Sequence, residues 1–143
     1  SWFGGLIFGI FAANIYLKNK NLPLYKVLDT SIPFVALAQA IGRIGCFLNG
    51  CCFGKTLIPI QIYSSLILIF IFIVLRFLQD RPHRDGQIFF TYLLLYAIKR
   101  FFIEFWRADN EIILLGLTLF QIISVIIFFL SILKLFTIIK SQK

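Results

Sequence analysis

Methionine is absent from all 143 residues, position 1 included, so the chain is expected to be a fragment whose natural N-terminus lies upstream. Acidic side chains are scarce too, six against fourteen Lys and Arg, and charged residues of both signs make up only 14%. A soluble domain carries about 25%, so a water-facing surface is excluded for most of this chain. There is one histidine, and the three cysteines, Cys46, Cys51 and Cys52, have a spacing that matches no common zinc pattern. No metal site is expected. What fills the sequence instead is apolar: 60% hydrophobic residues, 18 Phe, and a mean hydropathy of +0.94.

Several runs approach or exceed the roughly 18 apolar residues that mark a membrane span. The expected fold is an all-α integral membrane protein, a single transmembrane domain over residues 1–143. Five spans are read at about 1–17, 31–50, 58–78, 87–106 and 113–137. The opening residues Ser1–Phe8 lack a charged leader and a small-residue cleavage site, so they read as the start of a span rather than a signal peptide.

A net charge of +8 could suggest nucleic acid, but the placement of the basic residues argues for topology instead. Lys18, Lys20 and Lys26 lie in the first connector, Arg76, Arg81 and Arg84 around the third, and Lys134, Lys140 and Lys143 in the tail. The intervening connectors hold only Lys55 and Arg107. Nine basic residues against two, alternating by loop, is the positive-inside pattern. It puts the N-terminus outside and the C-terminus in the cytoplasm, with anionic membrane lipid adding to the pull on the basic loops.

That topology gathers the polar residues at one depth. Arg43, Cys46 and Asn49 fall in the outer half of span 2, and Gln61, Tyr63, Ser64 and Ser65 at the outer start of span 3. Arg100, Glu104 and Arg107 lie in the outer half of span 4, with Thr118, Gln121 and Ser124 beginning span 5. Tyr92, Tyr96, Arg100, Glu104 and Arg107 recur every three or four residues, so they share one helical stripe. Arg100 and Glu104 are i,i+4 neighbours able to pair. Charge inside a membrane costs roughly 2.5–3.5 kcal/mol per residue on insertion scales, which makes these residues functional candidates. Two arginines and a lysine near one glutamate on span 4, with Arg43 opposite, leave surplus positive charge. Arginine is suited to bidentate phosphate contacts, so an anionic headgroup is the natural partner.

Ala36, Ala38, Ala40, Gly42, Gly45, Gly50 and Gly54 form a small-residue tract around Arg43, which permits close helix approach. The stretch from Gly50 to Gly54 reads as a broken or re-entrant helix end. For the cysteines, three readings stay open: small packing residues, a substrate contact, or a disulfide of Cys46 with Cys51 or Cys52 in an oxidising compartment. His83 lies in a Pro- and Gly-bounded connector and reads as a solvated loop residue.

At these positions the chain resembles the prolipoprotein diacylglyceryl transferases of bacterial inner membranes. The likeness is carried by Gly42-Arg43-Ile44-Gly45 with Phe47, Asn49 and Gly50, and by Pro59-x-Gln61-x-Tyr63. It continues through Tyr96-x3-Arg100-Phe101-x2-Glu104-Phe105-x-Arg107 and Leu117-Thr118-x2-Gln121, with Ser1-x2-Gly4-Gly5-Leu6 at the start. The resemblance implies a seven-span enzyme, of which this chain would be the last five spans. It implies transfer of a diacylglyceryl group from phosphatidylglycerol to the lipobox cysteine thiol of a preprolipoprotein, at the outer leaflet of the inner membrane and without a cofactor. By that likeness Arg43 and Arg100 would act on the lipid phosphate and Glu104 would orient Arg100. Gly45, Cys46, Asn49, Cys51, Gly54, Gln61, Tyr63, Tyr96, Arg107 and Gln121 would line the substrate site. Cys46 and Cys51 stand where the family carries Asn and an acid, Phe3 where it carries His, and Ser64 where it carries Glu. Those replacements keep two other readings in view. One is a relative that binds or moves phospholipid or alkylates another acceptor; the other is a membrane thiol oxidoreductase using Cys46, Cys51 and Cys52.

Overall fold

The computed structural model describes residues 2–50, 59–106, 112–114 and 117–141. Five helices follow one another: α1 (Trp2–Asn19), α2 (Leu24–Leu48), α3 (Ile60–Gln79), α4 (Gln87–Glu104) and α5 (Leu119–Lys140). Three of them, α2, α3 and α5, are long and apolar enough to cross a membrane. At 18 residues, or about 27 Å, α4 has the length, but it carries Lys99, Arg100 and Glu104 near its end. Large apolar side chains such as Phe70 and Phe136 point outward at 64% and 70% exposure, while Gln61, Ser64, Ser65, Ser124 and Ser131 are buried. Polar groups inside and aromatic groups outside is the arrangement expected when lipid, not water, is the surrounding solvent. The chain is a helical membrane protein.

The second helix begins at Leu24, seven residues before the expected start of span 2 at 31, and runs through Pro33 to Leu48. A proline inside a helix leaves the carbonyl four residues earlier without its donor. Here that carbonyl belongs to Asp29, and Gln79 on α3 replaces the lost bond by donating its Nε2–H to it at 2.7 Å. The helix therefore continues through a residue that would otherwise interrupt it. At its other end Asn49 caps the helix and Gly50 follows with φ +66°, a left-handed stop that favours glycine.

Contacts between distant residues fix the helix directions. Gln79 meets Asp29, and the Ser65 hydroxyl donates to the Ala40 carbonyl at 2.9 Å, so α3 runs antiparallel to α2. Ala36 and Ala40 are fully buried on that face, and their small side chains allow the close approach. Asp29 also accepts the backbone N–H groups of Gly86 and Phe89 at 2.7 and 2.8 Å, and Tyr92 Oη donates to Gln39 Oε1 at 2.9 Å, so α4 runs parallel to α2. Gly86 is the N-cap of α4 with φ +92°, and a Cβ there would meet the Tyr25 ring at 3.2 Å. Both facts require glycine. Arg84 donates to the carbonyls of Ile138 and Ser141 at 3.3 and 2.8 Å, closing α5 antiparallel to α4. The apolar core lies between α2, α3 and α4, around Ile32, Ala36, Ile71, Leu75, Ile88 and Tyr92.

One boundary needs correction between α4 and α5. A short strand, β1 (Ile112–Leu114), pairs antiparallel there with β2 (Leu117–Thr118). The last helix consequently begins at Leu119, not near 113. Thr118 sets that start through a capping box: its hydroxyl accepts the Gln121 N–H, while Gln121 Oε1 accepts the Thr118 N–H. Two orphan donors at the helix N-terminus are satisfied this way.

Candidate functional site

The alternation of helix directions puts the C-terminal ends of α2 and α4 beside the N-terminal ends of α3 and α5. Arg43, Gln61, Lys99, Arg100, Glu104, Thr118 and Gln121 therefore share one end of the bundle. Ser65 touches Ala40, so one turn further along each antiparallel helix places Gln61 level with Arg43 and Ile44.

On α4 the Glu104 side chain is fully buried and pairs with Arg100, Nη2 to Oε2 being 3.5 Å. Thr118 donates its hydroxyl to the other oxygen, Oε1, at 3.1 Å. The Arg100 guanidinium lies over the Phe120 ring, 4.6 Å from its centroid. Arg100 is thus held by Glu104 on its own helix and by Phe120 on α5, and Thr118 in turn fixes Glu104. Breaking such a buried pair leaves an uncompensated charge, which costs about 3–5 kcal/mol. The i,i+4 spacing that suggested the pair is the spacing that forms it.

Lys99 is adjacent to Arg100 but lies roughly 100° further round the helix. It is buried, at 6% exposure, with Nζ 5.1 Å from the centroid of the Tyr96 ring. It lies within electrostatic reach of both Arg43 on α2 and Arg100 on its own helix. Among the described residues no carboxylate lies within ion-pair distance of Lys99. Arg43, Lys99 and Arg100 thus lie at the same end of the bundle, and the Glu104 carboxylate pairs with Arg100.

The other expected site residues fall in several environments. Gln61 is buried and Tyr96 is half-buried against Tyr92, with ring centroids 5.7 Å apart. Gln121 is buried and engaged in the α5 cap, so it braces Thr118 and through it Glu104. Cys46 is half-buried, whereas Gly45, Asn49 and Tyr63 are exposed. A Cβ on Gly42 or Gly45 would meet nothing within 4 Å, so close packing in this part of α2 is made by Ala36 and Ala40 instead. Cys51, Gly54 and Arg107 lie outside the described residues.

Sequence reasoning counted Lys99 among the cations without assigning it to the site, and it overlooked Gln39. Each is a polar residue in an otherwise apolar run, and that signal could have found both. The Ser64 hydroxyl is buried without a hydrogen-bond partner among the described residues, at the position where the family resemblance places a glutamate.

The bundle and its charged end define a class, the multi-pass helical membrane proteins that carry a buried cationic cluster at one end. The profile of one family, prolipoprotein diacylglyceryl transferase, matches residues 1–137. The chain belongs to that family, and so to the multi-pass membrane proteins of bacteria. It is 42% identical over 137 residues to the phosphatidylglycerol–prolipoprotein diacylglyceryl transferase of Clostridioides difficile, covering 86% of this chain and 54% of that protein. The transferase of the same name from Clostridium tetani is 35% identical over 127 residues, covering 75% and 51%. The one from Dehalococcoides mccartyi is 32% identical over 151 residues, covering 91% and 58%. The chain spans about half the length of the curated relatives it matches.

Proposed function

We propose that this chain supplies the phosphate-handling half of a phosphatidylglycerol–prolipoprotein diacylglyceryl transferase. The sulfur of the lipobox cysteine, as thiolate, attacks the glyceryl carbon of phosphatidylglycerol. A C–S bond forms, the C–O bond to phosphate breaks, and glycerol phosphate leaves with the electron pair. Negative charge grows on the departing phosphate. Fixed cations aimed at growing charge in a dry site are among the largest catalytic contributions known. Arg100, pre-set by Glu104 and Phe120, and Arg43 from the facing helix hold the phosphate. Tyr96, Gln61 and Cys46 shape the space around it, together with Gly45, Asn49 and Tyr63 at its margin.

The observation that carries this reading is the Arg100 guanidinium held between the buried Glu104 carboxylate and the Phe120 ring, at the end of an apolar bundle where Arg43 also lies. The five helices form one transmembrane domain of five spans, with the N-terminus outside and the C-terminus cytoplasmic. The cluster then faces the outer leaflet of the inner membrane, where phosphatidylglycerol and the preprolipoprotein lipobox meet. The alternating basic loops and the common end occupied by the polar residues support that orientation.

The test uses phosphatidylglycerol liposomes and a lipobox peptide, following glycerol phosphate release together with peptide mass. A diacylglyceryl mass shift is expected, falling by about 10²–10³ in Arg43→Ala and Arg100→Ala while membrane insertion is kept. Wild-type turnover by both variants, or lipid binding without any mass shift, overturns the reading.

A further inference from the structure

Serine and threonine side chains inside helices often donate to the carbonyl one turn back. Thr30, Ser31, Thr91, Ser124 and Thr137 all do so, at 2.7 to 2.9 Å. Ser65 donates across to Ala40 and Thr118 to Glu104. Ser64 does neither. The residue is 2% exposed, and its hydroxyl meets no hydrogen-bond partner among the described residues. Such a group is costly, because burial takes away its hydrogen bonds to water and returns none. Folded proteins keep few of them, and a place for a ligand is one reason to keep one.

The helix period shows where that hydroxyl points. Gln61, Ser64, Leu68, Ile71 and Leu75 recur every three or four residues, and each is 2% exposed or less. Ile71 and Leu75 belong to the core between α2, α3 and α4, so Ser64 faces the same interior nearer the polar end. Its neighbour Ser65 touches Ala40, and Arg43 lies three residues further along α2, a rise of about 4.5 Å. The Ser64 hydroxyl therefore opens into the bundle within one turn of the depth at which Arg43 is proposed to hold the phosphate.

The chemistry of the lipid next to its phosphate decides the ligand. The glycerol headgroup of phosphatidylglycerol carries two free hydroxyls, the nearer on the second carbon from the phosphate oxygen. On entering an apolar bundle they lose water and need partners. A serine hydroxyl both donates and accepts, so it can pair with either of them.

We infer that Ser64 reads the headgroup: it hydrogen-bonds a free hydroxyl of phosphatidylglycerol and so selects that lipid over anionic phospholipids whose headgroup lacks hydroxyls. This rests on the transferase reading and names the part of the lipid that sets its specificity. The arginines cannot make that choice, since a phosphodiester presents the same single negative charge whatever uncharged alcohol it carries.

The test places the protein and its Ser64→Ala variant in phosphatidylcholine liposomes that contain either phosphatidylglycerol or phosphatidylpropanol. The second lipid has the same charge and nearly the same size, without the two hydroxyls. Binding is read as protection against thermal unfolding over a lipid titration, and transfer as phosphate ester release with peptide mass. The wild type is expected to favour phosphatidylglycerol, and Ser64→Ala to reduce that preference about two- to tenfold, the worth of one neutral hydrogen bond. Binding of phosphatidylpropanol stays unchanged. In phosphatidylcholine alone the variant melts no lower than the wild type, because the hydroxyl it loses has no partner among the described residues. Equal weakening of both lipids, no weakening of either, or a lower melting temperature in phosphatidylcholine alone overturns the inference. A raised KM for the lipobox peptide with the lipid preference intact assigns the hydroxyl to the peptide and overturns it too. Should the variant not fold, the wild type alone decides, since equal binding of the two anionic lipids also overturns it. A wild type that transfers nothing yet prefers phosphatidylglycerol through Ser64 overturns the transferase reading and leaves the headgroup site standing.

Discussion

At one end of the bundle the buried Asp29 carboxylate meets two backbone N–H groups at the start of α4, and Arg84 meets the last carbonyls of α5. At the other end lie Arg43, Lys99 and Arg100, and among the described residues the one carboxylate there, that of Glu104, pairs with Arg100. The first pair of residues neutralises helix termini, where an acid suits the N-terminal dipole and a base the C-terminal one. Each charge there is matched by backbone, so it belongs to the architecture. The second cluster has more positive charge than the described structure neutralises. That excess is what the proposed phosphate grip rests on. The comparison separates two kinds of buried charge that look alike in a sequence.

The largest effect is expected where the two kinds touch, at Glu104. Glu104→Ala strands Arg100 and should cost about 3–5 kcal/mol in unfolding experiments, with transfer lost as well. An unchanged melting temperature would mean that the pair does not organise this end. Next comes Asp29→Ala, which leaves two N–H groups at the α4 terminus without their acceptor and should cost about 1–3 kcal/mol. Below its melting temperature that variant should keep wild-type kcat, because the cationic end is untouched. Loss of turnover in folded Asp29→Ala would break the distinction between the ends. Thr118→Val removes both the cap of α5 and a donor to Glu104, for about 1 kcal/mol. Its kcat should fall as well, since Arg100 loses part of its support, and kinetics beside a thermal melt would show the two changes together. Arg84→Ala is the mildest, a few tenths to about 1 kcal/mol at the α5 terminus, with transfer unaffected. Hydrogen exchange in the last turn of α5 should register it.

Much of this was legible from residue spacing. Apolar runs located five helices, and Tyr92, Tyr96, Arg100 and Glu104 were placed on one stripe, where the structure stacks the first two and pairs the last two. Boundaries were less legible. Span 2 was begun at 31, whereas α2 starts at Leu24 and runs on through Pro33, where Gln79 satisfies the carbonyl that the proline strands. The start of α5 was misplaced because Ile112–Leu114 is apolar enough for a span but pairs as a strand with Leu117–Thr118. The glycines near Arg43 suggested tight packing, whereas the close contact is made one and two turns earlier at Ala40 and Ala36.

The sequence by itself determined which segments are helical and which side chains neighbour each other within a turn, because the period of the α-helix fixes contacts at three and four residues. It also determined the total excess of positive charge. Only the tertiary structure decided which charges are matched and which are not. Asp29 is bound by residues 57 and 60 positions away, and Lys99 on α4 lies close enough to Arg43 on α2 to feel its charge. No local periodicity encodes such distances; they follow from how α2, α3, α4 and α5 pack, and that packing sorts cations that look equivalent in the sequence into those that cap helix ends and those gathered at the polar end of the bundle.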